Sequence, residues 1–269
     1  MSEYRSVDGV DVTLDGAQLR LTLDRPGRRN ALTDEMMVTL ADALASAEQD
    51  ERVRVVTIAA RGDHFCSGAD IVTRNEPGGA RPRAGSIQRR VPHVAHRLVP
   101  LLCSVQVPVV AVVRGWAAGI GLQIALAADF TIAASNARFW EPFLERGFTP
   151  DSGATWLLSR RVGPVRAREL LLLGREVSGA EAAEWGMIHE AVDETALEPA
   201  AADLVERLAA APTVALGLTK WLLYEADASS LDDQLRREAF ALELSSRTDD
   251  FREGLAAFKE KRPPSFEGR

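Results

Sequence analysis

The sequence of 269 residues has few cysteines and no long apolar run. Two cysteines, Cys66 and Cys103, are too few for a disulfide-stabilised scaffold, and no cysteine or histidine spacing resembles a zinc site. We therefore expect both to be small buried hydrophobic residues. No apolar run is long enough to span a bilayer, and residues 1–10 lack the apolar core of a signal peptide. These absences predict a cytoplasmic protein with no membrane partner.

Positive charge is in the minority, because the formal net charge is −7. This balance argues against nucleic acid as the main partner. One segment, residues 74–97, is instead rich in arginine, and it is interrupted by glycines and prolines. Its arginines are Arg74, Arg81, Arg83, Arg89, Arg90 and Arg97. The segment is interpreted either as a solvated loop before a helix or as a partner for the phosphates of a ligand.

The stretch from Val107 to Asp129 organises the rest of the chain. Residues 109–113 are an apolar β-branched run, typical of a strand buried on both faces. Gly119 and Gly121 then bracket a turn of small residues, and residues 122–128 have helical composition. The free amides of such a helix start favour negative charge, either a phosphate or a developing oxyanion. The dinucleotide and P-loop glycine patterns are absent, although a turn used only for packing remains an alternative.

Flanking segments predict the surrounding strands and helices. Residues 10–12 and 19–23 alternate around Asp15 and Gly16, which predicts a β-hairpin. Thr33 is placed to cap a helix. Further strands are expected at residues 53–59 and 130–134, and helices at residues 165–173 and 180–185. Two strands that end in loops of small residues, HFCSGAD and GWAAGIG, indicate an α/β core with a site at strand ends.

Five motifs of the sequence resemble motifs of the crotonase superfamily, the enoyl-CoA hydratase and isomerase group, and they occur in the same order as in that family. They are DRPGRRNAL, HFCSGADI, GWAAGIGLQIALAAD, PDSG and FKEKRPPSF. The resemblance implies an α/β spiral of ββα units in residues 1–194 and a C-terminal helical region in residues 195–269 that builds a homotrimer or hexamer. It also implies an acyl-CoA thioester as ligand, with no cofactor beyond the CoA moiety and no metal.

In that family two backbone N–H groups hold the thioester oxygen, and by resemblance they map to Ala69 and Ile120. This agrees with the glycine turn, because removing a proton next to a thioester places negative charge on its oxygen. Ile120 departs from the usual glycine, so its bulk narrows the pocket. The resemblance also implies CoA contacts at Arg28, Ala31, Asp70, Ile71, Phe258 and Lys261.

Hydratases of the family use two glutamates, and by resemblance their positions are occupied here by Gln123 and Phe143. Neither side chain transfers a proton at neutral pH. Asp151 matches the acid of several isomerase-like and dehalogenase-like members. One such carboxylate is enough to shift a double bond, and an apolar pocket would favour proton transfer to it. The alternative is that Asp151 only caps the following helix.

Several other interpretations stay open. Glu141 or Glu145 can substitute for the missing glutamates in hydration. His96 lies near the position of the histidine that activates water in 4-chlorobenzoyl-CoA dehalogenases, although an exposed helix histidine is the simpler interpretation. Trp116 and Trp140 either shape a bulky acyl pocket or pack in the core. A protein that binds acyl-CoA without converting it is the remaining alternative.

Overall fold

The computed structural model describes residues 4–71, 83–226 and 228–269, in which helices cover two β-sheets. The strands are β1 (Val10–Asp15), β2 (Gln18–Leu23), β3 (Val55–Ala60), β4 (Val109–Val113), β5 (Trp116–Ala118), β6 (Phe130–Ala134), β7 (Arg138–Trp140), β8 (Val177–Ser178) and β9 (Glu190–Val192). The helices are α1 (Asp34–Ala47), α2 (Ser86–Arg90), α3 (Ala95–Ser104), α4 (Ile120–Ala127), α5 (Ala154–Leu173), α6 (Gly179–Glu184), α7 (Leu197–Ala209), α8 (Thr213–Ala226), α9 (Leu231–Ser245) and α10 (Asp249–Glu260).

The larger sheet has the strand order β1-β2-β3-β4-β6-β9. Only β1 and β2 pair in antiparallel fashion, and every later neighbour is parallel. All five residues of β4 are buried, which explains its unbroken apolar sequence. The predicted strands at residues 109–113 and 130–134 are confirmed to the residue as β4 and β6.

The smaller sheet has the order β5-β7-β8 and begins where strands of the larger sheet end. Strand β5 follows β4 after two residues, Arg114 and Gly115, and leads into α4. The same strand-to-strand step takes β6 into β7, which pairs in parallel with β5. The strand, strand and helix order confirms the α/β fold that the resemblance implies.

Local sequence features fix several element ends. The hairpin joins β1 to β2 through Gly16, whose φ of 58° lies in the left-handed region. Thr33 caps α1 by accepting a hydrogen bond from the N–H of Met36 at 3.2 Å. Strand β3 is shifted slightly from the predicted residues 53–59. Helix α4 starts two residues before the predicted range and therefore begins at Ile120 itself.

Helix α5 is longer than the sequence predicts. The expected helix at residues 165–173 is only its second part, because helical structure starts at Ala154 and crosses a kink. Gly163 adopts a non-helical conformation with φ of 71°, and Pro164 follows it. Gly163 and Pro164 therefore kink the helix, and the residues before them are helical and not a loop.

From Leu197 to the C-terminus the described chain contains helices and no strand. Helix α7 packs against β3, β4 and β6, so the helical region begins on the core. Lys220 of α8 forms an ion pair with Asp129 at 2.7 Å and donates to the carbonyl oxygen of Leu102 at 2.9 Å. The boundary at residue 194 stays a prediction. Within the residues described, no helix has the length and apolarity needed to cross a membrane.

Candidate active site

Two loops at the ends of β3 and β4 lie side by side. Cys66 and Ala117 form a parallel bridge, in which the N–H of Cys66 donates to the carbonyl oxygen of Trp116 at 2.8 Å. The N–H of Ala118 donates back to the carbonyl oxygen of Cys66 at 2.9 Å. The predicted meeting of the HFCSGAD and GWAAGIG loops is therefore confirmed.

Glycines make this close approach possible. Gly119 has φ of 51°, and a Cβ atom on it would lie 3.9 Å from Cα of Gly68. A Cβ atom on Gly121 would lie 2.6 Å from Cβ of Cys66 and 2.7 Å from its carbonyl oxygen. Real Cβ atoms do not come this close to another heavy atom, so packing requires a glycine at position 121.

The local strand pairing and helix α4 supply no acceptor for the N–H groups of Ala69 and Ile120. Leu32 donates to Gly68 and accepts from Asp70, so the intervening Ala69 turns its N–H to the other side of the chain. Ile120 is the first residue of α4, where the N–H has no acceptor within the helix. Both residues line the same cavity, which makes their N–H groups suitable donors to one oxygen atom there.

The cavity has a volume of about 450 Å³ and a mainly apolar lining. Loop backbone, the α2 to α3 segment and the residues after β7 form its walls. The lining residues that matter most for the chemistry are Ala69, Gly119, Ile120, Phe143, Phe148 and Asp151. A cavity of this size and composition suits a small acyl group with a few polar contacts.

Asp151 lies in the cavity wall, in a turn with unusual backbone geometry. Ser152 has φ of 53° and Gly153 has φ of 84°, two consecutive left-handed residues. The hydroxyl of Ser152 donates to Oδ1 of Asp151 at 3.0 Å. The residue that caps α5 is Gly153, and no side chain caps that position. Asp151 is therefore not a helix cap, and its carboxylate is left at the cavity.

The side chain of Asp151 is exposed in the single chain, so the enclosed apolar setting expected from the sequence is not seen.

Gln123 and Glu141 lie behind the cavity wall and not in it. Gln123 is fully buried, and its Nε2 donates to Oε1 of Glu141 at 2.5 Å. Burial raises the pKa of Glu141 well above its ordinary value, and the charge of Asp151 adds to the rise, while the bond from Gln123 opposes it. The expectation that Gln123 lines the substrate pocket is thus wrong in its literal form, because Ile120, one turn earlier on α4, occupies the wall.

Phe143 does line the cavity, as expected. Its ring packs edge to face against Phe148, with 5.4 Å between the ring centroids and an angle of 86° between the planes. Both rings contribute to the cavity wall. Ile120 adds a third large apolar side chain to the lining.

Trp116 and Trp140 do not line the cavity, which corrects their assignment to the pocket. Their rings pack on each other with 5.7 Å between centroids. The indole N–H of Trp140 donates to the carbonyl oxygen of Gly174 at 3.1 Å. Because β5 and β7 are parallel neighbours, the two side chains share one face of the small sheet. The guanidinium of Arg146, a residue of the cavity wall, lies 5.9 Å from the centroid of the Trp140 ring.

His96 is also outside the cavity. It is exposed on α3, whereas its neighbours Val94 and Ala95 line the cavity wall. Successive side chains of a helix are about 100° apart, so the inward turn of Ala95 directs His96 outward. A second histidine, His64 in the loop after β3, accepts a hydrogen bond at Nδ1 from the N–H of Trp116 at 3.4 Å and helps to position the two loops.

The proposed CoA contacts on the first loop are grouped around an arginine that sequence reasoning missed. Arg25 forms an ion pair with the buried Asp70 at 3.2 Å and donates to the carbonyl oxygen of Ala31 at 2.7 Å. The side chain of Asp70 is therefore engaged within the chain. Ile71 lines the cavity, whereas Arg28 is exposed and does not line it. The motif DRPGR does not by itself show which of its arginines, Arg25 or Arg28, turns inward.

Phe258 and Lys261 lie at the end of α10, and neither lines the cavity of the same chain. Phe258 is 84% exposed, and Lys261 ends the helix in a left-handed conformation with φ of 55°. Of the basic segment, Arg74 and Arg81 lie outside the described residues. Arg90 lines the cavity, as does Arg146 from the loop after β7, so the site carries positive charge at its rim.

Comparison with known proteins identifies the family. The family model described as enoyl-CoA hydratase/isomerase matches residues 16–269. The chain belongs to the enoyl-CoA hydratase/isomerase family. Within this family it is 41% identical over 253 residues to the 1,2-epoxyphenylacetyl-CoA isomerase of Escherichia coli strain K12, covering 93% of this chain and 95% of the relative.

Other members of the enoyl-CoA hydratase/isomerase family share the whole fold. The crotonyl-CoA hydratase of Syntrophomonas wolfei is 33% identical, with 91% of this chain and 93% of the relative aligned. The crystal structure of an enoyl-CoA hydratase from Bacillus anthracis superposes with a TM-score of 0.89 at 30% identity, covering 97% of this chain and all of the other. These relatives include isomerases and hydratases, so membership shows an acyl-CoA enzyme without fixing its reaction.

Proposed function

We propose that this enzyme moves a double bond of an enoyl-CoA through an enolate, with Asp151 as the proton shuttle. The observation that carries the proposal is the presence of Asp151 in the same cavity wall as Ala69 and Ile120. Two main-chain donors and one carboxylate are the minimum set for this chemistry.

The reaction balances with these groups alone. The carboxylate of Asp151 takes a proton from C2 of a 3-enoyl thioester, and the electron pair moves onto the thioester oxygen held by the two N–H groups. The same proton returns to C4, and the double bond ends between C2 and C3. No electron is gained or lost, so the only cofactor chemistry we propose is that of the CoA moiety of the substrate.

The side chains disfavour the alternatives. Hydration needs a second acid or base at the cavity, but Glu141 is buried behind the wall and Glu145 does not line the cavity. A dehalogenase-like hydrolysis needs a histidine to activate water, and His96 faces away from the cavity. A protein that only binds acyl-CoA would have no use for a carboxylate left at the cavity by a strained turn.

The aromatic end of the cavity favours a ring-bearing acyl group. Phe143 and Phe148 offer an edge-to-face corner, and Ile120 narrows the space beside it. The similarity to an isomerase named for an epoxyphenylacetyl thioester supports the same class of substrate. Isomerisation of a ring-bearing acyl-CoA is therefore the second candidate, with the same carboxylate and the same pair of donors.

CoA binding and assembly complete the proposal. We place the CoA moiety along the first loop, at Arg28, Ala31, Asp70 and Ile71, with Phe258 and Lys261 contributed by the C-terminal segment. The C-terminal helices carry exposed apolar side chains that a homotrimer or hexamer would cover. They include Leu231, Leu235, Phe240, Leu242, Phe251, Leu255 and Phe258. A cytoplasmic location stays a prediction from the sequence.

The test is the variant Asp151→Asn, which removes the proton acceptor and keeps the size of the side chain. We expect turnover of a 3-enoyl-CoA to fall by about 10²- to 10⁴-fold while the dissociation constant of the acyl-CoA changes little. The matched control is Glu145→Gln, an exposed carboxyl of the same region, which should leave turnover unchanged. Unaltered turnover in Asp151→Asn would remove Asp151 from the mechanism.

A further inference from the structure

A buried pair of polar side chains joins two walls of the cavity without touching it. Gln123 belongs to α4, the helix that begins at Ile120, and Glu141 immediately precedes Pro142 and Phe143 in the opposite wall. Glu141 is 1% exposed and Gln123 is 0% exposed. The backbone links the same two segments, since the N–H of Gly119 donates to the carbonyl oxygen of Trp140 at 3.0 Å.

The hydrogen bonding of this pair is complete only if Glu141 carries a proton. Nε2 of Gln123 donates to Oε1 of Glu141. Among the described residues, Oε2 of Glu141 and Oε1 of Gln123 are buried and have no partner. An ionised carboxylate has no hydrogen to give to the amide oxygen, whereas a carboxylic acid is a donor as well as an acceptor. A protonated Glu141 can therefore complement the amide of Gln123 through two bonds.

We propose that Glu141 is a positioning residue which, in its protonated form, pairs with Gln123 and thereby holds the Ile120 turn against the Phe143 wall. The inference rests on the proposed function, because the turn supplies the oxyanion donor. Glu141 does not line the cavity, so it acts through Ile120 and Phe143 and not on the substrate.

Ionisation of Glu141 would disturb the site in two ways. It would remove the hydrogen that reaches Gln123, and it would place a buried negative charge near Asp151 and near the oxygen of the enolate. Besides burial, the pKa of Glu141 depends on the hydrogen bond from Gln123 of α4 and on the charge of Asp151 in the turn before α5. Turnover is therefore expected to fall as the pH rises through the titration of Glu141.

Two variants separate the hydrogen bonding from the charge. Glu141→Gln cannot ionise, but its amide can still exchange two hydrogen bonds with Gln123. Its turnover number near pH 7 should stay within about 3-fold of the parent, and the alkaline fall should vanish. Glu141→Met loses the pair, so its turnover number should fall about 10- to 100-fold at all pH values, with KM nearly unchanged. Glu184→Gln, at an exposed glutamate of α6 outside the cavity, is the control and should behave as the parent protein.

A stability measurement tests the proton without any turnover. Burial raises the pKa of Glu141 above the ordinary 4.5, so the unfolded chain releases this proton at lower pH than the folded one does. The parent protein should therefore lose thermal stability relative to Glu141→Gln as the pH rises above about 4.5. A gap in Tm that is constant between pH 5 and 9 would overturn the proposal.

A spectroscopic measurement tests the positioning if the enzyme turns out not to isomerise 3-enoyl-CoA. The infrared carbonyl stretch of a bound ¹³C-labelled acyl-CoA should move to lower frequency in the parent and in Glu141→Gln, and less in Glu141→Met. If Glu141→Met does not fold, Gln123→Met removes the same pair from the other side. Equal shifts in all folded variants would overturn the positioning role, and so would equal loss of turnover in Glu141→Gln and Glu141→Met.

Discussion

Gly121 lies directly against Cys66, so closely that a Cβ atom on the glycine would come within 2.6 Å of the cysteine Cβ. This contact holds the start of α4 against the loop that carries Ala69. This packing contact, together with the two backbone hydrogen bonds of Cys66, therefore positions both proposed oxyanion donors.

The variant Gly121→Ala should destabilise the protein and weaken catalysis together. The added methyl group meets backbone and Cβ atoms of Cys66 that have no flexible end to move aside. We expect a loss of about 1–3 kcal/mol in the free energy of unfolding, measured by urea titration. Gly27→Ala is the control, since its Cβ would meet nothing within 4 Å. A Gly121→Ala protein as stable and active as the parent would contradict this account of the junction.

The pair Lys220 and Asp129 should give a pH-dependent stability effect. Burial raises the pKa of Asp129, and the charge of Lys220 opposes that rise. Removing the cation in Lys220→Met leaves a half-buried carboxyl supported only by the N–H of Val109 and the charge of Arg161, and we expect a cost of about 1–3 kcal/mol near neutral pH. Because the pKa of the folded state lies above that of the unfolded state, the loss should grow as the pH rises from about 4.

The matched variants define the cause of that effect. Asp129→Asn combined with Lys220→Met has no carboxyl to titrate and should show a destabilisation that does not change with pH. Lys259→Met, at an exposed lysine, should be neutral. If Lys220→Met lost the same stability at pH 4 and pH 8, the pair would not be the source of the pH dependence.

Phe143 should set the preference for ring-bearing acyl groups. In Phe143→Leu the apolar volume is largely kept, but the cavity wall loses the ring with which a substrate ring would make an aromatic contact. Such contacts contribute about 0.5–1.5 kcal/mol beyond buried area, so kcat/KM for a ring-bearing acyl-CoA should fall about 2- to 10-fold more than for a straight-chain one. Phe130→Leu is the control, because this ring makes an edge-to-face contact with His189 and does not line the cavity. Equal losses for both substrates would remove the ring from the specificity argument.

Local sequence features predicted the parts of the fold that depend on neighbours in the chain. The β-branched run at residues 109–113 and the cap at Thr33 are examples, because burial period and capping chemistry are local properties. The meeting of the two glycine loops was also predictable, since parallel strands end at one edge of a sheet.

The errors concern side chains whose direction is set by distant partners. Trp116 and Trp140 pack on each other because the small sheet brings β5 beside β7, which sequence proximity does not show. Gln123 pairs with Glu141 for the same reason, because Gln123 lies on the helix that follows β5 and Glu141 directly follows β7. Arg25, and not its neighbour Arg28, turns inward because Asp70 faces it from another loop.

The central claim is that the N–H groups of Ala69 and Ile120 together grip the thioester oxygen while Asp151 serves the neighbouring carbons. A crystal structure with a bound, unreactive acyl-CoA tests it most directly. We predict both amide nitrogens about 2.7–3.1 Å from the thioester oxygen, and a carboxylate oxygen of Asp151 about 3 Å from C2 and C4. A carbonyl oxygen directed away from either amide, or an acyl chain beyond the reach of Asp151, would contradict the account.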